Sequence, residues 1–256
     1  MSADPAITAC AALVHKGDPD RFLATMAAPL AGRPALFTLY AANLEIARAP
    51  WVTQEPMIAQ MRLQFWRDAV NDPANPRAHE IAAPLAALIT ERSLPPELFE
   101  RLITAREADL ARSPFADEAA LWTYLEDTAG LLMALALRAL GASDDDAALD
   151  WGAAQGMANY LLALPALEQA GRLTPPDGRP EAIAALAQTG LSRLTRARAA
   201  TKTLPKPARP ALLAAWRAGP LLKQAANQPA RVANATLGQS EFARRVTLLR
   251  ATLAGP

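Results

Sequence analysis

Apolar residues recur along most of the chain with a period near 3.6 residues, which predicts an all-α protein. Met57, Met61, Phe65 and Ala69 follow one another at four-residue spacing and indicate an amphipathic helix. No segment shows the two-residue alternation that is typical of a half-buried strand. The pattern therefore favours a helical bundle.

Capping residues and prolines divide this pattern into separate helices. Asp18 followed by Pro19 is typical of a helix start. Thr53 is predicted to cap a helix that ends at Asn71. The predicted helices are 6–14, 20–28, 53–71, 78–92, 96–112, 117–140, 143–169, 181–200, 208–218 and 239–253. Residues 171–180 are expected to form a turn between packed helices, so we predict a single domain over residues 1–256.

Length and composition fit an intracellular protein with one large core. The chain has 256 residues, 52% of them hydrophobic, and a chain of this size buries about 70 to 75% of its unfolded surface. A lone cysteine, Cys10, excludes an internal disulfide, fits a reducing compartment and is predicted to be a small core residue. The apolar run 129–142 is interrupted by Arg138 and falls short of the ~20 residues of a membrane span. No basic leader precedes the first predicted helix, so we expect a cytoplasmic, bacterial protein.

Charge is distributed unevenly, although the total is only +1. Residues 1–171 hold 12 Lys/Arg and 22 Asp/Glu, a net charge of −10, whereas residues 172–256 hold 14 and 3, a net charge of +11. One interpretation is that the basic segment contacts an acidic partner or an anionic membrane, which would place the protein at the periphery of the inner membrane. The other is that Arg193, Arg196 and Arg198 pair with the acidic helices of the first part.

Two aspartate pairs have the four-residue spacing of carboxylates that share a metal ion. Asp68 and Asp72 form the first pair, but Asp72 precedes a proline at the predicted helix end, where a turn role is natural. Asp146 and Asp150 form the second, in or near a first helical turn, where acidic residues stabilise the helix dipole. Both pairs are interpreted as structural.

Other patterns with known chemistry are weak. His15 and His79 are the only histidines and lack metal-ligand spacing, so both are predicted to have surface roles. The chain has no GxSxG elbow, P-loop or GxGxxG. The basic segment has only Trp216 and Phe242 as aromatic residues and no recognisable binding motif, which argues against nucleic acid as a partner.

Two segments resemble the metal-binding helices of the squalene/phytoene synthase family. Residues 33–48, RPALFTLYAANLEIAR, resemble the first signature helix, in which an R…L..LYAF segment leads into a DDxxD-type cluster that holds magnesium. Residues 156–173, GMANYLLALPALEQAGRL, resemble the segment that supplies the second acidic pair. The register implied by this resemblance places five non-acidic residues at the metal-binding positions: Ala47, Arg48, Trp51, Ala163 and Leu167.

The resemblance therefore implies the fold of the family without its chemistry. Family enzymes ionise an allylic diphosphate, and Mg²⁺ held by carboxylates neutralises the leaving group. Alanine, arginine, tryptophan and leucine cannot replace those carboxylates. Metal assistance is worth several kcal/mol, and about 1.4 kcal/mol is a factor of ten in rate, so turnover should be lost. We predict no catalytic residue, no metal site and no cofactor; magnesium enters only if the chain is a prenyl transferase.

A third segment is most similar to a divergent branch of the family that contains a mitochondrial complex I assembly factor and its bacterial relatives. Residues 61–70, MRLQFWRDAV, resemble the RLQWWRDAL stretch of that branch, and LLALP at 161–165 resembles its LLRALP. Ala42 and Leu162 depart from the residues usual there, phenylalanine and arginine. The resemblance covers about residues 5–176. It implies an isoprenoid-synthase-like helical bundle and a role in complex I biogenesis, with complex I subunits or assembly intermediates as partners.

Two other functions stay open at the level of sequence. The chain could be a prenyl transferase of the squalene or phytoene synthase type, or a prenyl-lipid-binding protein that keeps the cavity and has lost the chemistry. Helices bearing Tyr40, Trp66 and Tyr160 are expected to enclose a mostly apolar cleft. The ligand-pocket candidates are Tyr40, Asn43, Arg62, Trp66, Arg67 and Tyr160. Arginine suits phosphate binding, but Arg67 is equally interpreted as helix surface, and Trp66 is favoured as a core residue.

Overall fold

The computed structural model describes residues 4–111, 113–143 and 145–255, and these residues form helices joined by short turns, without strands. The predicted all-α class is confirmed. The helices are α1 (Pro5–Gly17), α2 (Pro19–Ala27), α3 (Arg33–Arg48), α4 (Pro56–Asn71), α5 (Ala82–Arg92), α6 (Pro96–Ala105), α7 (Glu118–Leu125), α8 (Leu131–Ala139), α9 (Asp145–Ala170), α10 (Pro180–Ala200), α11 (Ala218–Asn227), α12 (Ala230–Ala233) and α13 (Glu241–Ala254).

Helix starts follow the capping chemistry of the sequence at some positions and not at others. The Asp18 carboxylate accepts from the main-chain N–H of Arg21 at 2.9 Å, so its predicted capping role is confirmed. The predicted cap at Thr53 is wrong. The Thr53 hydroxyl accepts from the N–H of Glu55 in the preceding turn, and α4 begins at Pro56.

His79 explains why α5 begins later than predicted. Its imidazole Nδ1 accepts from the main-chain N–H of Ile81 at 3.1 Å, and α5 begins at Ala82 instead of residue 78. The ring also lies 5.4 Å from the ring of Trp66. His79 therefore has a capping and packing role. His15 is exposed and packs on Phe22, with ring centroids 4.5 Å apart.

The apolar stripe of α4 is only partly buried. Met57 and Met61 are 73% and 66% exposed, whereas Leu63, Trp66 and Val70 are buried. The favoured interpretation of Trp66 as a core residue agrees with its 3% exposure. Phe65 is half-buried and Ala69 is 3% exposed, so the stripe meets the core only in the C-terminal half of the helix.

Three predicted helices are interrupted or displaced. The segment 117–140 contains a π-helical turn, Glu126–Gly130, between α7 and α8. The segment 96–112 ends its α-helix at Ala105 and continues as a 3-10 turn, Arg106–Leu110; Arg112 lies outside the described residues. The segment 208–218 is mainly a 3-10 helix, Arg209–Ala215, and the sequence pattern missed α11 behind it.

Helix α9 lies at the centre of the packing, against α8, α10, α11 and the π-helical turn. Two glycines of α9 permit this close approach. A Cβ at Gly152 would lie 2.3 Å from the carbonyl oxygen of Ala129, and one at Gly156 would lie 2.9 Å from the Ala129 Cβ. The main core draws on residues from Cys10, which is fully buried as predicted, to Leu237. None of the described helices is both long and apolar enough to cross a membrane.

Candidate functional site: the central cleft

A cleft of about 320 Å³ lies between α3, the π-helical turn and α9. The C-terminal half of α3 contributes Asn43 and Ala47, and α9 contributes Tyr160 and Leu167. As expected, helices bearing Tyr40 and Tyr160 border the cleft, but α4, which carries Trp66, supplies none of its lining residues. Apolar side chains share the lining with a cluster of charged and polar groups.

That cluster centres on Asp109, whose side chain is 1% exposed. The Tyr124 hydroxyl donates to Asp109 Oδ1 at 2.7 Å, and the Trp51 indole Nε1–H donates to Oδ2 at 3.4 Å. The Arg106 guanidinium lies 3.6 Å from Oδ2 and donates to the Tyr124 oxygen at 2.7 Å. A buried carboxylate is therefore held by two neutral donors and one positive charge, as its removal from water requires.

Burial sets the protonation behaviour of this cluster. It raises the pKa of Asp109 above its ordinary value, although Arg106, Tyr124 and Trp51 oppose the shift by stabilising the ionised form. Burial also raises the pKa of Tyr124, so that this side chain keeps its proton and donates at neutral pH. Tyr160 likewise has a raised pKa from burial, and its hydroxyl donates to the main-chain carbonyl of Leu173 at 2.7 Å.

Arg172 joins the cluster to the end of the cleft. Its side chain donates to the main-chain carbonyl of Pro50 at 3.0 Å, and its guanidinium carbon lies 4.8 Å from the centroid of the Trp51 ring. This geometry is a cation–π contact, which is worth about 0.5 to 2 kcal/mol depending on burial. Trp51 thus packs between a buried cation and the Asp109 carboxylate.

Polar groups without partners also face this region. Asn43 is 6% exposed, and its Oδ1 has no hydrogen-bond partner among the described residues. The same holds for the Nε atoms of Arg21 and Arg106. Arg21 is held by Asp18 at 2.9 Å and lies 5.4 Å from the ring centroid of Tyr40. The cleft therefore has one unpartnered hydrogen-bond acceptor and two unpartnered donors that could bind a small ligand.

The five residues that the resemblance assigns to the family's metal-binding positions do not fit a magnesium site. Ala47, Trp51 and Leu167 line the cleft. Arg48 points elsewhere and pairs with Glu45 at 3.3 Å, and Ala163 is exposed. Mg²⁺ requires oxygen ligands in octahedral geometry, and none of these five side chains has an oxygen atom.

Other carboxylates do not compensate. Asp109 is the only carboxylate among the described residues that line the cleft, and its oxygens already accept from Tyr124 and Trp51. Across residues 4–111, 113–143 and 145–255, no three His, Cys, Asp or Glu side chains are grouped so as to hold a metal ion. The donor set of the cleft is therefore unsuited to a diphosphate–magnesium complex.

The six predicted pocket residues do not form one pocket. Asn43 and Tyr160 line the cleft, and Tyr40 is buried beside Arg21. Arg62 and Trp66 lie instead along a separate groove of about 420 Å³ on α4.

Arg67 lines neither cavity, so its assignment to the pocket is wrong. Its guanidinium pairs with Glu100 at 2.7 Å and Glu107 at 2.6 Å, and its side chain is only 17% exposed. Arg67 joins α4 to α6 and to the 3-10 turn that follows α6. In this respect it also differs from an ordinary arginine on a helix surface.

Three of the four aspartates in the two pairs have structural partners. The Asp68 carboxylate pairs with Arg77 at 2.8 Å and accepts from Gln64. Asp72 ends α4 and accepts from the Asn75 side chain at 3.0 Å. These contacts agree with the structural interpretation of the first pair.

In the second pair, Asp150 binds two arginines of α10. Arg196 lies 2.8 Å and Arg193 3.4 Å from its carboxylate, and Arg193 also pairs with Glu126 at 2.6 Å. The preceding Asp144 lies outside the described residues. Internal pairing of the basic segment is thus confirmed for Arg193 and Arg196. Arg198 lies over Trp151, with its guanidinium carbon 5.9 Å from the ring centroid, and burial lowers the pKa of Arg198.

The sequence analysis missed the residues that make this site polar, namely Arg106, Asp109, Tyr124 and Arg172. Asp109 falls in a segment predicted to be the end of a regular helix, where an acidic residue is ordinarily solvated. Its burial arises because the chain tightens into a 3-10 turn at Arg106–Leu110. Arg172 lies in the segment 156–173 that carries the resemblance, but no role was predicted for it. No local pattern connects it with Asp109, which lies 63 positions earlier in the chain.

Comparisons with known proteins agree with the fold. The family model for squalene/phytoene synthase matches residues 14–177. A solved dehydrosqualene synthase superimposes with a TM-score of 0.81 at 15% identity, covering 96% of this chain and 94% of that one. Squalene synthase HpnC from Alicyclobacillus acidocaldarius gives a TM-score of 0.76 at 18% identity, covering 87% and 94%.

Relatives with higher sequence identity carry a different description. A Drosophila melanogaster protein described as a homolog of NADH dehydrogenase (ubiquinone) complex I, assembly factor 6, is 35% identical over 178 residues, which are 65% of this chain and 52% of the relative. The Homo sapiens assembly factor 6 is 31% identical over 161 residues, which are 61% of this chain and 48% of the relative. The chain thus spans about half the length of these relatives.

Proposed function

The chain belongs to the squalene/phytoene synthase family, and from this membership and its altered cleft we propose that it acts in the biogenesis of respiratory complex I without catalysing prenyl transfer. The observation that carries the proposal is the lining of the cleft, taken together with the register that the resemblance implies. Ala47, Trp51 and Leu167 line the cleft, and that register assigns them to positions where the family chemistry needs oxygen ligands.

The polar cluster of the cleft supports the proposal independently. Asp109 is already bound by Tyr124 and Trp51 and faces Arg106, so it is unavailable to a metal ion. Trp51 fixes Arg172 at the end of the cleft by a cation–π contact. This cluster stabilises the fold at the place where a synthase would hold its diphosphate.

The relatives named as complex I assembly factors support the proposed role in complex I biogenesis. Their identity to this chain, 31 to 35%, exceeds that of the superimposed synthases, 15 to 18%. We propose complex I subunits or assembly intermediates as partners. Since complex I is a membrane enzyme, the protein would act at the periphery of the inner membrane.

A second candidate function is the binding of a small prenyl lipid without chemistry. The cleft volume of about 320 Å³ and the unpartnered Asn43 Oδ1 favour it, since ligand sites of helical proteins lie between helices and hold a few polar groups. This candidate is compatible with an assembly role. It predicts that a fluorescent prenyl alcohol binds the wild-type protein and that Asn43→Leu weakens the binding.

Turnover assays and affinity purification test the proposal together. Purified protein with Mg²⁺ and farnesyl or geranylgeranyl diphosphate is expected to release no diphosphate above a no-enzyme control. Affinity purification of tagged protein from a native-host membrane extract is expected to enrich complex I subunits. Prenyl transfer that disappears in Asp68→Ala or Asp146→Ala would overturn both the register and the proposal. Absence of complex I subunits from repeated purifications would contradict the assembly role.

A further inference from the structure

Part of the positive charge of residues 172–256 is concentrated in one place. Six of its basic side chains pair with carboxylates: Arg179, Arg193, Arg196, Arg217, Arg244 and Arg245. Lys202, Lys206 and Arg209 form no ion pair with any described residue. Arg209 donates only to main-chain carbonyls, those of Leu204 at 3.1 Å and Lys202 at 3.4 Å. These three unneutralised cations lie close together.

They line one groove of about 690 Å³ between the turn after α10 and the C-terminal end of α13. Arg198 lines the same groove, and partial burial lowers its pKa. Four cations, with no Asp or Glu among the described lining residues, give the groove a positive potential that favours anionic groups.

Exposed apolar side chains lie in the lining of this positive groove or next to lining residues in the chain. Leu253 lines it and is 78% exposed, and Leu30, which follows the lining residue Pro29, is 76% exposed. Met26, next to the lining residue Ala27, is 43% exposed. Exposed leucines beside lysines are unfavourable in water but suit the boundary between lipid headgroups and acyl chains, where both kinds of side chain find partners.

We propose that this basic–apolar groove is the surface by which the protein docks on an anionic phospholipid bilayer. Lys202, Lys206 and Arg209 contact headgroup phosphates, and Leu30 and Leu253 enter the headgroup–acyl boundary. Arg193 and Arg196 take no part, because they are neutralised by Glu126 and Asp150. The inference rests on the proposed function only in expecting a membrane nearby, and it is tested without complex I.

Vesicle co-sedimentation of the full chain tests the inference. Vesicles of phosphatidylcholine alone are compared with vesicles that also contain phosphatidylglycerol. Lys202→Gln/Lys206→Gln is expected to weaken binding to the anionic vesicles about 25-fold, since each basic side chain near an anionic surface changes affinity about fivefold. The matched control is Lys16→Gln/Lys223→Gln, which removes the same charge from exposed lysines outside the groove. The control should bind like wild type.

The apolar contribution is measured separately. Leu253→Ser should weaken binding to anionic vesicles, and its effect should persist in high salt, whereas the effect of the lysine variant should fade as charges are screened. Circular dichroism and thermal unfolding should show both variants to be folded, because the altered side chains are exposed.

Several results would overturn the inference. One is equal binding of the wild-type protein to neutral and anionic vesicles. Another is an equal loss of vesicle binding in the groove variant and the control variant. A third is a loss of vesicle binding only in Met57→Ser/Met61→Ser, which alters a different exposed apolar surface. Binding to double-stranded DNA in place of vesicles would assign the groove to a different polyanion. Complex I purification is unaffected by a failed vesicle test, so the two proposals can fail separately.

Discussion

Asp109→Ala is the most informative perturbation of the central cleft. It removes the carboxylate that accepts from Tyr124 at 2.7 Å and Trp51 at 3.4 Å and that faces Arg106 at 3.6 Å. Breaking a buried ion pair by removing one partner costs about 3 to 5 kcal/mol, because the remaining charge stays buried. The Arg106 side chain keeps 17% exposure, so we expect the lower end of this range, about 3 kcal/mol.

Urea unfolding at neutral pH measures this loss, with Asp68→Ala as the matched control. The Asp68 and Arg77 side chains are 38% and 48% exposed, and such a surface pair contributes about 0 to 1 kcal/mol. Total stability of a domain is about 5 to 15 kcal/mol, so the two variants should differ clearly in midpoint. If Asp109→Ala lies within about 1 kcal/mol of wild type, the cluster does not stabilise the fold and our reasoning about the cleft is refuted.

Three further predictions concern stability. Gly152→Ala should destabilise the protein by about 3 kcal/mol or prevent folding, since its Cβ would meet a main-chain carbonyl oxygen 2.3 Å away; Gly178→Ala, with nothing within 4 Å, should change the urea midpoint little. Because the pKa of Asp109 is raised, the folded state binds the Asp109 proton more tightly than the unfolded state does. The contribution of Asp109 to the free energy of unfolding therefore falls as pH rises from 3.8 to the raised pKa of the folded state. Asp109→Asn should lack this pH dependence when urea unfolding is measured at several pH values. A variant with the same pH profile of stability as wild type would contradict the prediction. Arg193→Gln should cost about 1 to 2 kcal/mol by loss of its two carboxylate partners, whereas Lys223→Gln should unfold at the wild-type midpoint.

The sequence predicted features that depend on local chemistry. Asp18 and Pro19 specify the start of α2, because an aspartate cap and a proline in the first turn are favourable in any context. The register of the signature helices placed Ala47, Trp51 and Leu167 at positions that line one cleft. Internal pairing of Arg193 was also foreseen as one of two interpretations.

Features that depend on tertiary packing were missed. The exposure of Met57 and Met61 reflects which part of α4 meets the core, and spacing does not decide this. The buried Asp109 depends on residues from three separate segments. Arg67 was ambiguous for the same reason, since its partners Glu100 and Glu107 lie on another helix and the following turn.

Deletion of the gene in its native host decides between a role in complex I biogenesis and prenyl transfer. NADH:quinone oxidoreductase activity of the membranes and the amount of assembled complex I are measured together with squalene and phytoene. We expect complex I to fall, prenyl products to stay unchanged, and wild-type protein on a plasmid to restore complex I. Intact complex I in a strain that has lost squalene or phytoene would contradict the account.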